Sequence, residues 1–398
     1  MRVLFLQETD WVDKTVGQHH HLAEMLSLRG HEVRAIDFDL FWQKKNSKGL
    51  ISRREIFPNV SKTHEGGKVT VIRPGIVRIP VIDYISLVIS HKKEIDRQIK
   101  EFTPDVIIGF SILNSYMGRR AAAKKSIPFI YYWIDVLHDI IPLKLFRAFG
   151  KMVVKRTLRN SDRVLSINEA LRDVTVNLGA PPEKSYVVRA GVDYQPFEES
   201  VSQRLRSEHG FEGEDIVLFF VGWMYHFAGL KEVLLEMARV GDHRLKALIV
   251  GEGDAFEELK RIRRGYNLEK RVVFTGRKPY HEIPSFIAAS DICLLPAYPE
   301  EKIMQDIVPI KIYEYMAMKK PVLVTRLPGV MREFGHGNGV IYVERPEDVV
   351  GKALELVESG MVEEEALKAR KFVQDMSWEN ITDRFEEILE EAIKEKRG

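Results

Sequence analysis

Cysteine is almost absent from this sequence of 398 residues, and its charges nearly cancel. The single thiol, Cys293, excludes an internal disulfide and lies in the apolar run Asp291–Leu295, where we expect a buried small side chain. The 60 basic and 58 acidic side chains leave a net charge of +2, so no nucleic-acid partner is expected. No run approaches the roughly 20 apolar residues that span a membrane. Met1 to Leu6 lack the pattern of a signal peptide, and we expect a cytoplasmic protein.

Short apolar runs alternate with helical segments along the chain, which indicates β-α units and parallel sheets. The runs are Val3–Leu6, Val33–Ile36, Val69–Ile72, Val106–Ile108, Phe129–Trp133, Val164–Ile167, Tyr186–Val188, Ile216–Phe220, Leu245–Val250, Val272–Phe274, Ile292–Leu295, Val322–Val324 and Val340–Val343. Asp193 to Asp215 are rich in charge and turn formers, and we place a linker there. The prediction is two doubly wound α/β domains, 1–197 and 198–377, followed by a helix at 378–398.

The segment from Asp306 to Pro321 carries the most informative chemistry. Pro309 suits the first turn of a helix, whose N-terminus would offer free N–H groups and a positive dipole end to a phosphate. Lys311 and Glu314 are three residues apart and share a face of that helix. The carboxylate can accept hydrogen bonds from two vicinal hydroxyls, such as those of a ribose, and the ammonium can neutralise phosphate. Taken alone, this spacing is more typical of a surface ion pair.

Asp306-(seven residues)-Glu314, then Tyr315-Met-Ala and Lys320-Pro321-Val-Leu-Val-Thr, resembles the donor-binding signature of glycosyltransferase family 4. Seven further segments match in the same order. They are Gly17-Gln18 with Arg29-Gly30-His31-Glu32-Val33, Ser161-Asp162-Arg163-Val164, Gly191-Val192-Asp193, Phe220-Val221-Gly222, Val250-Gly251-Glu252-Gly253, Val273-Phe274-Thr275-Gly276 and Ala289-Ser290-Asp291. The resemblance implies the GT-B fold, in which two Rossmann-like domains face a cleft and the helix at 378–398 crosses back to the first domain. It also implies transfer of a sugar from a nucleoside diphosphate sugar, with retention at the anomeric carbon and without a bound metal.

The resemblance also implies roles for residues of the second domain. Glu314 would hold the donor ribose, and Asp306 would contact hydroxyls of the transferred sugar. Backbone amides near Val308 and Ile310 would cradle the diphosphate. The nucleobase would meet the turn formed by Gly276, Arg277 and Lys278.

In the first domain, Gly17 would let the backbone approach the donor phosphates, with Gln18 and His19 on the acceptor side. Relatives often carry His-Asp at the end of the strand that begins near Pro128. Alignment from that proline places Asp135 on the family's aspartate, whereas His138 is the alternative. One of these two groups, together with Asp306, is therefore expected to be catalytic.

Two cations of the family are missing from the donor site. Relatives place Arg directly after the Val-Gly and Lys five residues later, and both touch the diphosphate. Gly222 is present here, but it is followed by Trp223, and Ala228 stands at the lysine position. Lys231, Arg277 and Lys311 are the candidate substitutes. Two hypotheses stay open, a lineage with altered donor binding and a chain that has lost activity, and the intact Asp306, Lys311 and Glu314 favour the first.

Two patterns suggest metal binding but are better explained otherwise. Adjacent side chains on a helix point about 100° apart, so His19, His20 and His21 cannot converge on one ion. Asp37-Phe38-Asp39 matches the Mn²⁺ motif of another transferase fold, and we interpret it as structural. No metal site is predicted.

Six basic residues and no acid lie between Pro142 and Ser161, interleaved with apolar side chains. They are Lys144, Arg147, Lys151, Lys155, Arg156 and Arg159. A helix across Lys144–Arg163 would lie on an anionic membrane or pack on the sheet with a basic outer face, and the two interpretations are evenly balanced. The first gives a peripheral location at the inner face of the membrane.

The acceptor is expected to be a carbohydrate or a lipid-linked molecule, and the sequence does not identify it. Two alternatives to a transferase stay open. One is a GT-B sugar-nucleotide epimerase. The other is a non-catalytic protein that binds nucleotide sugars or docks on membranes.

Overall fold

The computed structural model describes residues 1–13, 16–39, 49–80, 82–134, 144–192, 199–305 and 308–398, with only the backbone described for 144–147 and 199–200. These residues divide into two compact units. The first combines Met1–Ala190 with Trp378–Gly398, and the second is Gly191–Ser377. The predicted domain boundary, after residue 197, lies seven residues beyond the observed division after Ala190.

In the first unit the described residues form an eight-stranded sheet with helices between the strands. The strands are β1 (Arg2–Leu6), β2 (Glu32–Ile36), β3 (Glu55–Val60), β4 (Val69–Arg73), β5 (Val106–Gly109), β6 (Phe129–Trp133), β7 (Arg163–Ser166) and β8 (Ser185–Val187). Their order is β3-β4-β2-β1-β5-β6-β7-β8, and every pairing is parallel except that of β3 with β4. The helices are α1 (Gln18–Leu28), α2 (Ile82–Glu101), α3 (Leu113–Ala123), α4 (Lys144–Arg159) and α5 (Glu169–Asn177).

The second unit is a six-stranded sheet within the described residues, and all its pairings are parallel. The strands are β9 (Ile216–Val221), β10 (Leu245–Val250), β11 (Val272–Gly276), β12 (Ile292–Leu295), β13 (Val322–Thr325) and β14 (Val340–Val343). The helices are α6 (Glu199–Glu208), α7 (Leu230–Val240), α8 (Phe256–Gly265), α9 (Ile283–Ala288), α10 (Ile310–Ala317), α11 (Pro328–Phe334), α12 (Asp348–Glu358) and α13 (Val362–Val373). The strand order β11-β10-β9-β12-β13-β14 reverses between β9 and β12, where doubly wound sheets bind ligands beyond the carboxyl ends of their strands.

The predicted linker at Asp193–Asp215 is wrong in part, because α6 lies inside it. Arg206 on α6 donates hydrogen bonds to the carbonyl of Ala289, at 3.1 Å, and to the carboxylate of Asp291, at 3.2 Å. These contacts attach α6 to the second unit. Its sequence is rich in charged residues and lacks the apolar periodicity that predicts a helix.

The last helix, α14 (Trp378–Arg397), belongs to the first unit. The Trp378 ring stacks on His21 at 4.0 Å, and Glu386 lies 2.7 Å from Arg29 and 2.5 Å from His31. Two side chains of the Arg29-Gly30-His31 motif therefore hold the returning helix. Among the described helices, none is both long enough and apolar enough to cross a membrane.

Candidate functional site

Glycines form the ends of three adjacent strands of the second sheet, β9, β10 and β11, of which β9 borders the switch point. Gly222, Gly251 and Gly276 have φ angles of 140°, 131° and 70°, a region that other residues rarely adopt. The Gly222 N–H donates to the Val250 carbonyl at 3.0 Å, and the Gly251 N–H donates to the Gly276 carbonyl at 2.9 Å. Bare backbone therefore lines this edge of the sheet, and a ligand can approach it closely.

Substitution of Gly251 by alanine is expected to destabilise the protein by about 2–4 kcal/mol, because its Cβ would lie 2.1 Å from the Gly222 carbonyl oxygen at a φ of 131°. Gly265→Ala is the matched control, since no atom lies within 4 Å of a Cβ there and alanine favours the helix. Thermal or urea unfolding measures the difference. Equal stability of the two variants would contradict the close approach.

Helix α10 begins after Pro309, on the chain that leaves β12. The Tyr315 hydroxyl accepts a hydrogen bond from the Val221 N–H, at 3.1 Å, so α10 is fixed to the carboxyl end of β9. Ile312, Tyr313 and Tyr315 are buried, whereas Lys311 and Glu314 remain half-buried on the side turned towards the strand ends.

Lys311 occupies the space beside Gly222. Its Nζ lies 4.4 Å from the Phe220 ring centroid and would be 2.6 Å from a Cβ at Gly222. Burial lowers the pKa of Lys311 to about 8, although the nearby Glu314 carboxylate acts in the opposite direction. The missing side chain of Gly222 thus leaves room for a cation at the end of β9.

The Glu314 carboxylate is oriented by a residue that sequence reasoning did not identify. The Tyr280 hydroxyl donates to Glu314 Oε1 at 2.8 Å. Tyr280 follows the turn that contains Gly276, the exposed Arg277 and Lys278, whose Nζ lies 5.6 Å from the Phe286 ring centroid. No motif spacing links Tyr280 to Glu314, because the contact forms only when the segment after β11 reaches α10 in the fold.

The loop after Gly222 contains no cation at the two positions where the motif would have one. Trp223 is partly exposed, and its Nε1–H donates to Asp254 at 3.0 Å. Ala228 is buried in the core of the unit. Lys231 lies 3.2 Å from Glu258, where its charge is already paired. Of the three candidate substitutes, Lys311 is therefore the one beside Gly222.

In the first unit, Gly17 precedes α1, and a Cβ there would lie 3.0 Å from His19 Cε1. The Gln18 amide is buried and donates to the carbonyls of Val188, at 3.1 Å, and Arg189, at 2.8 Å. Gln18 is thus fixed inside the unit, and its acceptor-side role stays a prediction. His19 is partly exposed, with its ring 5.1 Å from that of Trp11. Asp135, His138 and Asp306 lie outside the described residues.

The neighbouring histidines and the Asp-x-Asp pair are structural. His20 Nδ1 accepts from the Gly17 N–H at 3.0 Å, and burial together with His64 lowers the pKa of His21 well below its usual value. Asp37 lies 2.6 Å from Arg73, and Asp39 lies 3.1 Å from Arg78. In the described part of the chain, no group of three or more His, Cys, Asp or Glu side chains could hold a metal ion. Cys293 is fully buried, as predicted, which raises its pKa to about 12.

Comparison with known families agrees with this geometry. The family model described as Glycosyl transferases group 1 matches residues 201–374, and the one described as Glycosyltransferase Family 4 matches residues 19–195. The chain belongs to glycosyltransferase family 4. The resemblance of its motifs to this family is therefore confirmed.

Curated relatives differ in the share of their length that the chain matches. It is 29% identical over 226 residues to the Bacillus subtilis glycosyltransferase TuaH, named for teichuronic acid biosynthesis, which covers 51% of this chain and 53% of TuaH. The chain thus spans about half the length of that relative. It is 22% identical over 388 residues to N-acetyl-alpha-D-glucosaminyl L-malate synthase of Bacillus anthracis, covering 95% and 93% of the two chains.

Among solved structures, the Anabaena protein HepE has a TM-score of 0.73 and 17% identity, covering 98% of this chain and 100% of HepE. HepE has been crystallised with UDP and with UDP-glucose. This likeness shows that the chain has the GT-B fold, as the motifs predicted.

Proposed function

We propose that the chain transfers a sugar from a UDP-sugar to a carbohydrate or lipid-linked acceptor, with retention of configuration at the anomeric carbon. Membership of glycosyltransferase family 4 supports the reaction, and the UDP complexes of HepE support the nucleotide. The observation that carries the proposal is the position of Lys311, which lies beside Gly222 and shares α10 with Glu314.

These contacts support the following donor site. Glu314, oriented by Tyr280, would accept hydrogen bonds from the two ribose hydroxyls. The backbone amides near Val308 and Ile310 would meet the diphosphate at the start of α10. Lys311 would supply the positive charge that relatives obtain from the positions of Trp223 and Ala228. Gly276, Arg277 and Lys278 would contact the nucleobase.

The chemical step needs charge stabilisation at the leaving group. The bond between the anomeric carbon and the β-phosphate oxygen breaks, and the bond to the acceptor oxygen forms on the same face. The acceptor proton passes to the departing phosphate oxygen. Because negative charge builds on the diphosphate, a preorganised cation at Lys311 and fixed N–H groups lower the barrier, and no metal is required in this proposal. Asp306 would hold the transferred sugar, and Asp135 or His138 would face the acceptor.

A second part of the proposal concerns α4, the helix predicted at Lys144–Arg163. Its described outward side chains include Lys151, Lys155, Arg156 and Arg159, all exposed, together with Phe149 and Met152. Mixed basic and apolar exposure supports contact with an anionic membrane surface, where a lipid-linked acceptor would be found.

A ligand screen by thermal shift tests the donor. UDP and UDP-sugars are expected to raise the melting temperature, whereas GDP, ADP and CDP are not. The product formed with an acceptor, examined by proton NMR, should keep the anomeric configuration of the donor and form in the presence of EDTA. No shift with any nucleotide at millimolar concentration would contradict the transferase. An epimerised sugar formed without an acceptor would favour the epimerase instead.

A further inference from the structure

Helix α2 carries aliphatic side chains on two faces, because Leu87, Ile95 and Ile99 are buried in the first unit while a second set points away from it. Ile82, Ile85 and Ile89 lie at positions i, i+3 and i+7 on its outward face, and Ile85 and Ile89 are 60% and 56% exposed. Val88 and Tyr84 are exposed beside them. Surface helices normally turn their apolar stripe towards the core. The outward stripe is therefore additional to the buried one, and an exposed apolar patch of this kind is typical of a contact surface.

Polar contacts on the inward face fix α2 in this rotation. His91 Nδ1 lies 2.8 Å from the Asn114 amide nitrogen, and Gln98 Nε2 donates to Glu94 at 2.8 Å. Arg54 adds two hydrogen bonds of 2.8 Å to the same Glu94 carboxylate. Turning the isoleucines inward would break these buried interactions, each of which is difficult to replace away from water.

The apolar surface continues onto the segment before β3. Leu50 and Ile51 are exposed, with Ile51 at 71%, and Ile51 pairs with Val77 across an isolated bridge. The Val77 N–H in turn donates to Ser86 Oγ on α2, at 2.9 Å. These contacts place the exposed segment beside the start of α2.

Basic side chains accompany the apolar ones. Lys92 and Lys93 extend the outward face of α2 by one turn and are exposed, and Lys92 Nζ lies 3.5 Å from the exposed Asp96 carboxylate. Helix α3 packs against both α2 and α4, and neither α3 nor α4 contains an acidic residue. Because all three helices connect parallel strands in the same direction, they start at the same edge of the sheet, so Phe149 and Met152 of α4 lie towards the same edge as the isoleucines.

We propose that Leu50, Ile51, Ile82, Ile85 and Ile89, with Lys92 and Lys93, form a docking face that inserts into the surface of an anionic lipid bilayer. Exposed branched aliphatic side chains beside lysines match the chemistry of that surface, since the chains enter the acyl boundary and the ammonium groups meet lipid phosphates. This face goes beyond the contact proposed for α4, and it does not depend on the transferase activity.

Vesicle sedimentation of the full chain tests the docking face. The protein is expected to bind vesicles of phosphatidylcholine with about 30% phosphatidylglycerol and not vesicles of phosphatidylcholine alone. The double substitution Ile85→Ser with Ile89→Ser should weaken binding by roughly tenfold or more. Lys92→Glu with Lys93→Glu should weaken it at low salt and remove much of its salt dependence. Leu367→Ser, at an exposed leucine on α13 in the second unit, is the matched control and should bind like the wild type.

All these positions are exposed, so the variants should keep the wild-type melting temperature and UDP affinity, which separates the docking face from the donor site. The proposal is overturned if the wild type stays in solution with anionic vesicles, or if the isoleucine variant binds them unchanged. It is equally overturned if centrifugation shows a wild-type dimer that the isoleucine variant dissociates, because the face is then an interface between copies of the chain.

Discussion

Replacing Glu314 with alanine is expected to weaken UDP binding by about 10²–10³-fold, because two hydrogen bonds from the ribose to a charged acceptor are lost. The Tyr280 hydroxyl, which donates to Glu314 at 2.8 Å, loses its partner in the same variant. Titration calorimetry with UDP measures the change. Tyr280→Phe leaves the carboxylate in place and should cost about tenfold or less.

Glu333→Ala is the matched control for Glu314→Ala. Glu333 on α11 also accepts a tyrosine hydrogen bond, from Tyr313 at 2.7 Å, but it lies on the element after β13 and not beside Gly222. This variant should bind UDP like the wild type. If both glutamate variants lose UDP equally, the effect comes from general destabilisation, and the role proposed for Glu314 is wrong.

Lys311→Ala is expected to lower kcat by about 10²–10³-fold, because the departing diphosphate loses its cation in a site where charge is poorly solvated. Lys311→Arg should retain most of the activity if the guanidinium fits beside Gly222. A kcat for the alanine variant within a few fold of the wild type would show that another group stabilises the leaving group.

The Lys311 ammonium is expected to reduce the free energy of unfolding at neutral pH. Burial lowers the pKa of Lys311 from 10.5 to about 8, so the folded state disfavours the charged form. The penalty is fully present below pH 8 and disappears as the pH rises towards 10.5, so the wild type should gain stability across that range. Lys311→Met is therefore expected to raise the melting temperature at pH 7 while activity falls.

Lys320 provides a contrasting half-buried lysine. Its Nζ donates hydrogen bonds to the carbonyls of Ala288, at 3.1 Å, and Ser290. Lys320 therefore links the end of α9 to the segment before β13. Lys320→Met should lower the melting temperature, opposite to Lys311→Met, because two carbonyls lose their donor. A higher melting temperature for both variants would show that the destabilisation is not specific to Lys311.

The parallel strands could be predicted because they are buried on both faces and read as continuous apolar runs. Phe129–Trp133, Leu245–Val250 and Ile292–Leu295 match β6, β10 and β12 residue for residue. The edge strand β3 was not predicted, because it is mostly exposed, contains Pro58 and pairs on one side only. Helix α6 was not predicted, because charged and polar residues dominate its sequence.

At the site, the motif spacing was sufficient to place Lys311 and Glu314 on one face of α10, but not to choose among three candidate cations. That choice depends on the empty side-chain position of Gly222, on the salt bridge of Lys231 with Glu258 and on the exposure of Arg277. The Tyr280 contact depends on where the fold places the segment after β11 relative to α10. Contacts between segments that are far apart in the sequence produce no periodic pattern in that sequence, so they cannot be predicted from it.

The pH dependence of UDP affinity tests most directly whether Lys311 replaces the missing cations. With a pKa of about 8 in the free protein, Lys311 is mostly charged at pH 7 and mostly neutral at pH 9. We expect UDP affinity to fall about tenfold between these values in the wild type, and to stay nearly constant in Lys311→Arg, which cannot lose its charge. The same decline in both proteins, or no UDP binding at either pH, would contradict a donor site built on Lys311.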